Sequence, residues 1–527
     1  MPAFISSIRP AFQRVLVYLL ASVTVGLVAA APLNGLAPGG IAARPLFDGK
    51  TLAGWSIQNG GRFSVHDGVI ALDRGAGWLR SDATYADFTL TVELRFLDQG
   101  ANSGIFVRTG PDSHPDEKGY PTSSYQVQCM DDLAGTRPLA TVIPYGGGLE
   151  ESFFDREAIR QAYRPTGEWN IIEITCRGEV LVSKLNGVEV ARAIGVANRR
   201  GQVGIQGEGG RLEFRRLDIV EHPPVPFVAD GAALVFSGPA AGLTTPQQVT
   251  LLNPTPAPSG PLRARLTGQQ AGAFRFAGPA AFVMPPGGSQ ALSFQLRSGP
   301  EQIGVLSAVC EITDESGTVL HAIGLHGVST PGLEGKREAP LRQVLDALGY
   351  AVDIGWDTLA GNIKPEPMGA EVGGQLFRAA GPGEVVMTPI ARYSPDFLLP
   401  YGYYQPGAER PLLHVVGTLA LATPDRPEQN ILHPTVASGT IRFAPPAGPF
   451  GLFTASPSHV AYTEDVLNTR LEPTHAAHAV RVFPARARVG QPMPHAYLVC
   501  FEEASNGDYQ DYVFLLENVA QVSPATP

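Results

Sequence analysis

Three neighbouring stretches carry side chains able to do chemistry. In residues 89–96, Leu90, Val92, Leu94 and Phe96 fall on one side of an extended chain, and Thr91, Glu93 and Arg95 fall on the other. In residues 124–130, Tyr125, Val127 and Cys129 stand together opposite Gln126 and Gln128. Between them, Asn102, Ser103 and Gly104 read as a turn, and Ile105 to Arg108 as a strand ending in a fixed cation. If these strands are neighbours in one sheet, Glu93, Arg95, Arg108, Gln126 and Gln128 share a polar face. Planar amides and guanidinium groups supply the paired, directional donors and acceptors that sugar hydroxyls need, and Trp78, Tyr120 or Tyr145 supplies a flat apolar wall. Antiparallel sheets also often turn a polar face to water with no site on it. A lone strand arginine is most often solvated or salt-bridged, and both readings stand on spacing alone.

The elements that must hold these residues are strands. The 527 residues include 60 glycines and 47 prolines, and these break the chain into short runs of Val, Ile, Leu, Phe and Thr with almost no sustained helical period. That pattern predicts an all-β chain, and the length suggests three domains at about 150 residues each. Asp48-Gly49 and Asp67-Gly68 are turn dipeptides, and Asn186-Gly187 predicts a hairpin between residues 180–185 and 188–192. The formal charge of −10, without a cluster of cations, argues against nucleic acid as a partner. Arg9 and Arg14 precede an apolar run from Val15 to Ala31, which predicts a secretory signal over residues 1–30. The expected location is the periplasm, the extracellular space or the cell surface, with membrane attachment only if the segment stays uncleaved. Cys129 and Cys176 lie in apolar strands as small hydrophobes, and an oxidising compartment would also allow a disulfide between them.

Within residues 45–222 a series of landmarks occurs in order. It comprises residues 45–55 (PLFDGKTLAGW), the turn at Asp67 to Val69, residues 85–88, Glu93, residues 101–108, residues 125–131, Gly167 to Asn170, Leu185 to Gly187, Gly204 to Gln206, and Leu212 to Arg215. This series resembles the 3-keto-disaccharide hydrolase family over about a third of the chain. The resemblance implies a concanavalin-like jelly roll whose concave face handles carbohydrate, and cleavage of 3-keto-glycosides by hydrolysis or by elimination and hydration. A C3 ketone acidifies the C2 hydrogen, so a base can remove it, an enolate forms and the glycosidic oxygen leaves C1. On this basis Glu93 is a candidate base or metal ligand and Asp131 a ligand or acid, while Arg108 or a divalent metal would stabilise the enolate. Arg95, Gln126, Gln128, Tyr145, Gln206 and Glu208 are candidate substrate-binding residues. Two positions depart from the family pattern: Gln126 stands where a glutamate is common, and Glu208 where a histidine often occurs. An amide cannot transfer protons as a carboxylate does. Either the chemistry rests on Glu93, Asp131 or Glu208, or this copy is a carbohydrate-binding or adhesion protein that does not cleave.

Beyond residue 222 the prolines at 223, 224 and 226 predict a stiff linker over residues 223–232. Residues 233–330 read as a small β-sandwich that resembles Hydin-type immunoglobulin-like domains. A connector over residues 331–372 carries the clearest helix, at Leu341 to Leu348 before Gly349, and residues 373–522 are again β-rich. The acidic turn with Glu502, Glu503, Asn506, Asp508 and Asp511 offers hard oxygen ligands, which makes Asp508 and Asp511 candidate calcium ligands against the alternative of a solvated hairpin.

Overall fold

Burial alternates along the strands Phe88–Phe96 and Asn170–Arg177, whereas Asn102–Thr109 and Ser124–Met130 are buried on both faces. A computed structural model describes residues 42–333, 335–421 and 430–522. The expected signal segment, residues 1–30, lies outside the described residues. In the strand Phe88–Phe96 every second side chain is buried, and this strand is the centre of a nine-stranded sheet, flanked by Leu212–Glu221 and Asn170–Arg177. A six-stranded sheet faces it, in the order Trp55–Gln58, Trp78–Ser81, Gln202–Gln206, Asn102–Thr109, Ser124–Met130 and Val142–Tyr145. Ile105, Val107, Tyr125, Val127, Val203 and Ile205 from the smaller sheet meet Leu90, Val92, Leu94 and Phe96 from the larger in one core. Each such large apolar side chain contributes about 1.5–3 kcal/mol on burial. The Asn186-Gly187 turn has positive φ at both residues, 49° and 88°, as a tight hairpin between right-twisted strands requires.

Two further β-layered bodies follow. Sheets of four and five strands close over Phe236, Leu251, Phe294, Cys310 and Leu325. The predicted linker is partly absorbed into this body, because Phe227 enters its core and Val228–Ala229 pairs with Leu252 and Leu251. The last body holds a six-stranded sheet around Val385–Arg392, Tyr512–Glu517 and Pro492–Phe501, and a five-stranded sheet around Leu399–Tyr404. The helix Leu341–Leu348 lies at the residues its spacing marks. It buries Leu341, Val344, Leu345 and Ala347 against Val328 of the second body and Phe483, Leu498 and Val513 of the last. Arg488 donates to the carbonyls of Asp346 and Ala347 at its C-terminal end, and also pairs with Glu150 of the first sandwich at 3.4 Å. The first and second bodies share a contact of Val180, Ile194 and Ala322 and an ion pair between Arg192 and Glu311. A segment comprising residues 45–222 alone would expose that surface. All four cysteines are buried free thiols. Cys129 and Cys176 belong to opposite sheets of the first sandwich.

In the last body His478 is gripped from both sides, with Nδ1 2.9 Å from Asp465 and Nε2 2.9 Å from Glu371. Burial alone would lower its pKa, but the hydrogen bonds it donates to the two carboxylates, with their charges, outweigh this and raise it to about 9. A group raised in the folded state stabilises fully below its unfolded value of about 6.5 and ceases to do so as pH rises through the folded one. Thermal stability of the full chain is therefore expected to fall between about pH 6.5 and 9, and His478→Gln should flatten that slope. An unchanged slope in the variant would assign it to other groups.

Candidate functional site

The six-stranded sheet has an outer face built by the alternation opposite the core. Asn102, Gly104 and Phe106 lie on it from one strand, Gln126 and Gln128 from the next, and Gln206 and Trp78 from the other side. Gly104 is opposite Gln128, and a Cβ on Gly104 would lie 2.4 Å from Nε2 of Gln126. Gly204 is similarly constrained, since its Cβ would lie 2.4 Å from the Trp78 ring. The two glycines are therefore required for close approach. They form a floor on which an amide and an indole lie flat.

On this floor three glutamines interlock, with Gln126 Nε2 donating to Gln128 Oε1 at 2.7 Å and to Gln206 Oε1 at 3.1 Å. Trp78, Phe106 and Tyr120 pack beside them with Tyr145 in edge-to-face contacts. The loop after the Asn102–Thr109 strand folds over the face. Tyr120 donates to the Gly207 carbonyl at 2.6 Å and Tyr145 to Asp116 at 2.8 Å. Burial, with the charges of Glu208 and Asp116 nearby, pushes the Tyr120 phenol up, and burial with the Asp116 hydrogen bond does the same for Tyr145. Both remain protonated donors. At the rim Asn102 Nδ2 donates to Glu208 at 2.8 Å and Lys118 Nζ stands 3.3 Å from the same carboxylate. The Glu208 side chain keeps 28% of its surface exposed. The side-chain oxygen Oδ1 of Asn102 is buried without a hydrogen-bond partner.

Gln126, Gln128, Tyr145, Gln206 and Glu208 thus converge, and Glu93, Arg95, Arg108 and Asp131 do not. Glu93 and Arg95 lie on the outer face of the other, nine-stranded sheet. There Glu93 pairs with Arg215 and Arg95 with Glu213, and both arginines stack on Trp169 at 4.2 and 4.7 Å. The shared polar face expected from alternation fails because Phe88–Phe96 and Ser124–Met130 belong to opposed sheets. Asp131 lies past the end of its strand, with its carboxylate taken by the hydroxyls of Tyr163 and Thr166.

Arg108 departs from its strand's alternation. Val107 and Arg108 together oppose Val203 in a bulge, and Arg108 has a φ of 48°. Its guanidinium is wholly buried and donates to the carbonyls of Ala86 at 2.9 Å and Gly178 at 2.6 Å, and to Asp87 at 3.0 Å. Asn102, Phe106 and Lys118 are site residues that the sequence reading did not assign. The alternation of Asn102, Gly104 and Phe106 against Ser103, Ile105 and Val107 was the available signal.

The acidic turn of the last body is also built differently from a solvated hairpin. Glu502, Asp508 and Asp511 are all buried and bring carboxylate oxygens within 4.8 Å of one another. Five backbone N–H groups, of Ala504, Asn506, Gly507, Asp508 and Tyr509, point at Glu502. Glu503 instead accepts from Tyr512, and Asn506 donates to Asp508. Burial and the Glu502 charge push Asp508 up to about 8; burial and the Asp508 charge raise Asp511 well above the carboxylate range.

The fold of the first 180 or so described residues is that of an all-β jelly-roll sandwich, with its polar face on the smaller sheet. Residues 42–220 match the family model of the 3-keto-alpha-glucoside-1,2-lyase-like domain, and this part of the chain is a carbohydrate-active domain of that family. Among solved structures, a candidate glycosyl hydrolase from Parabacteroides distasonis ATCC 8503 is 22% identical with a TM-score of 0.28, covering 34% of this chain and 100% of its own. A carbohydrate-binding module from Bacillus subtilis is 14% identical with a TM-score of 0.24, covering 31% and 93%. A β-glucanase from Bacillus licheniformis is 13% identical with a TM-score of 0.24, covering 35% and 99%. No curated protein matches the chain.

Substitutions at two positions separate scaffold from site. Removing one partner of a buried ion pair costs roughly 3–5 kcal/mol, so Arg108→Ala should lower the melting temperature sharply. Arg108→Lys should not restore it, because a single ammonium cannot span the fork of acceptors. An Arg108→Ala protein that melts like wild type but loses activity would return Arg108 to the chemistry. Gly104→Ala should displace the Gln126 amide and weaken sugar binding measured by calorimetry, while the apolar core beneath is untouched. Unaltered binding would remove the glutamine face from the site.

Proposed function

We propose that the first sandwich holds a 3-keto-glycoside on the glutamine face and cleaves it by elimination, with Glu208 as the base. The observation that carries this reading is the rim arrangement: a part-exposed carboxylate fixed by Asn102 and Lys118, beside the buried side-chain oxygen Oδ1 of Asn102, which has no partner. Gln126, Gln128 and Gln206, 4%, 6% and 2% exposed beneath the loop, form the floor, and the part-exposed Tyr145 beside Asn102, Lys118 and Glu208 offers the groups a sugar reaches at the rim. Glu208 takes the proton from C2, the C–H pair becomes the enolate of the C3 ketone, and its return expels the glycosidic oxygen from C1. Water then adds across the new double bond. In this reading the Lys118 ammonium stabilises the enolate oxygen, and water entering at the rim gives a proton to the departing oxygen, while Tyr145 stays bonded to Asp116. Among the described residues, neither Asp116 nor Glu208 belongs to a group of three acidic, histidine or cysteine side chains close enough to hold one metal ion. No step is therefore routed through a metal. The apolar run behind Arg9 and Arg14 supports an exported location.

A second reading, binding without cleavage, is favoured by Gln126, whose amide is committed to its two glutamine neighbours and cannot carry protons. Turnover of a 3-keto-glucoside separates the two. General acid-base help is worth about 10²–10⁴ in rate, so Glu208→Gln should lower cleavage by at least about a hundredfold with an unchanged melting temperature. The C2 hydrogen should exchange with solvent deuterium in the wild type. Wild-type binding without turnover supports the second reading; full activity in Glu208→Gln sinks the assignment of the base.

A further inference from the structure

Glu502, Asp508 and Asp511 are 0%, 2% and 7% exposed. Glu502 has its ring of backbone donors; Asp508 and Asp511 are less well served. Asp508 accepts from Asn506 on Oδ2, while Oδ1 is buried with no partner. Asp511 accepts from the Glu503 N–H at 2.5 Å. Beside them Gln510 is fully buried against Asp508. Its Nε2 donates to Glu338 at 3.3 Å, and its Oε1 has no partner. The charged neighbours acting on Asp508 are Glu502 and Glu338, and those on Asp511 are Asp508, Glu502 and Glu503, all of one sign. Burying a charge is costly unless it is paired or coordinates a metal.

We infer that this turn is a calcium site, with Glu502, Asp508 and Asp511 as carboxylate ligands. Every donor is a hard oxygen, which excludes the soft and imidazole-loving metals. Oxygens bound to one calcium ion at about 2.3–2.6 Å lie no more than about 5 Å apart, and the three carboxylate oxygens here lie within 4.8 Å. Calcium takes six to eight ligands in flexible geometry, whereas magnesium keeps several waters of its own. A buried site supplied by three carboxylates suits the former. The ion would close the 502–511 turn. Through Gln510 and Glu338 it would also tie the last β-body to the connector ahead of the helix Leu341–Leu348. The inference is independent of the reaction proposed for the first sandwich.

The test uses the full chain, stripped with chelator and returned to millimolar calcium or magnesium. Calcium should raise the melting temperature by roughly 4 °C or more, and magnesium by much less. Terbium should give luminescence sensitised by Tyr509, Tyr512 and Trp356 that calcium quenches by competition. Asp508→Asn combined with Asp511→Asn should abolish both responses. In chelator it should melt no lower than wild type, because it removes like charges; this distinguishes a lost ligand from a misfolded chain. No calcium-dependent shift together with no terbium signal overturns the site. An equal rise with magnesium overturns the choice of calcium. A melting temperature that climbs at mildly acidic pH and ignores calcium means that a shared proton holds the cluster together, and overturns the metal.

Discussion

A guanidinium with no access to water holds the first sandwich together. Arg108 sits on the bulge of a strand in the smaller sheet and donates to the chain entering the central strand of the larger one, at Ala86 and Asp87, and to the turn at Gly178. Asp87 in turn accepts from the N–H groups of Gly178 and of Val225, just beyond the body of the sandwich. One ion pair therefore fixes both sheets, a hairpin and the exit of the chain. A buried charge is tolerable only when its hydrogen-bonding capacity is met. The geometry around Arg108 is for that reason stringent, and it holds the smaller sheet in place for the face it carries.

That face depends on absences as much as on side chains. Gly104 and Gly204 leave space into which the Gln126 amide and the Trp78 ring descend. Gln126 then bonds both its glutamine neighbours, so the amides are pre-arranged before any sugar arrives. Rigid placement lowers the ordering cost of binding. The nine-stranded sheet carries the stronger charges on its outer side, but Glu93, Arg95, Glu213 and Arg215 neutralise one another around Trp169. Charge density alone points to the wrong side of the sandwich; amides, aromatics and one part-exposed carboxylate mark the other.

The later bodies are bound to the first by a few polar ties as well as by apolar contact. Arg488 caps the helix Leu341–Leu348 and reaches Glu150, and Arg192 reaches Glu311. Both ties cross boundaries that composition marks as linkers. The acidic turn of the last body is likewise held by its surroundings: five N–H groups of one loop converge on Glu502, and a connector residue, Glu338, is bonded to Gln510.

Alternation along the chain determined which residues became core. Leu90, Val92 and Leu94, and likewise Val127 and Cys129, are buried as their period demands, since successive strand side chains must face opposite ways. The turn at Asn186-Gly187 and the helix before Gly349 were also legible, because positive φ and helical spacing are local demands. So was the ordered set of landmarks that marks the family. Partnership between strands was not legible. Glu93 and Gln126 both face away from the core, but from different sheets, and no local rule says which strands pair across long separations. The tertiary structure alone decided that a bulge would bury Arg108, that Asp131 would be spent on Tyr163 and Thr166, and that Glu208 would meet Asn102 and Lys118. It also turned an acidic hairpin, equally readable as solvated surface, into a buried group of carboxylates, because burial belongs to neighbours far along the chain and not to the residues themselves.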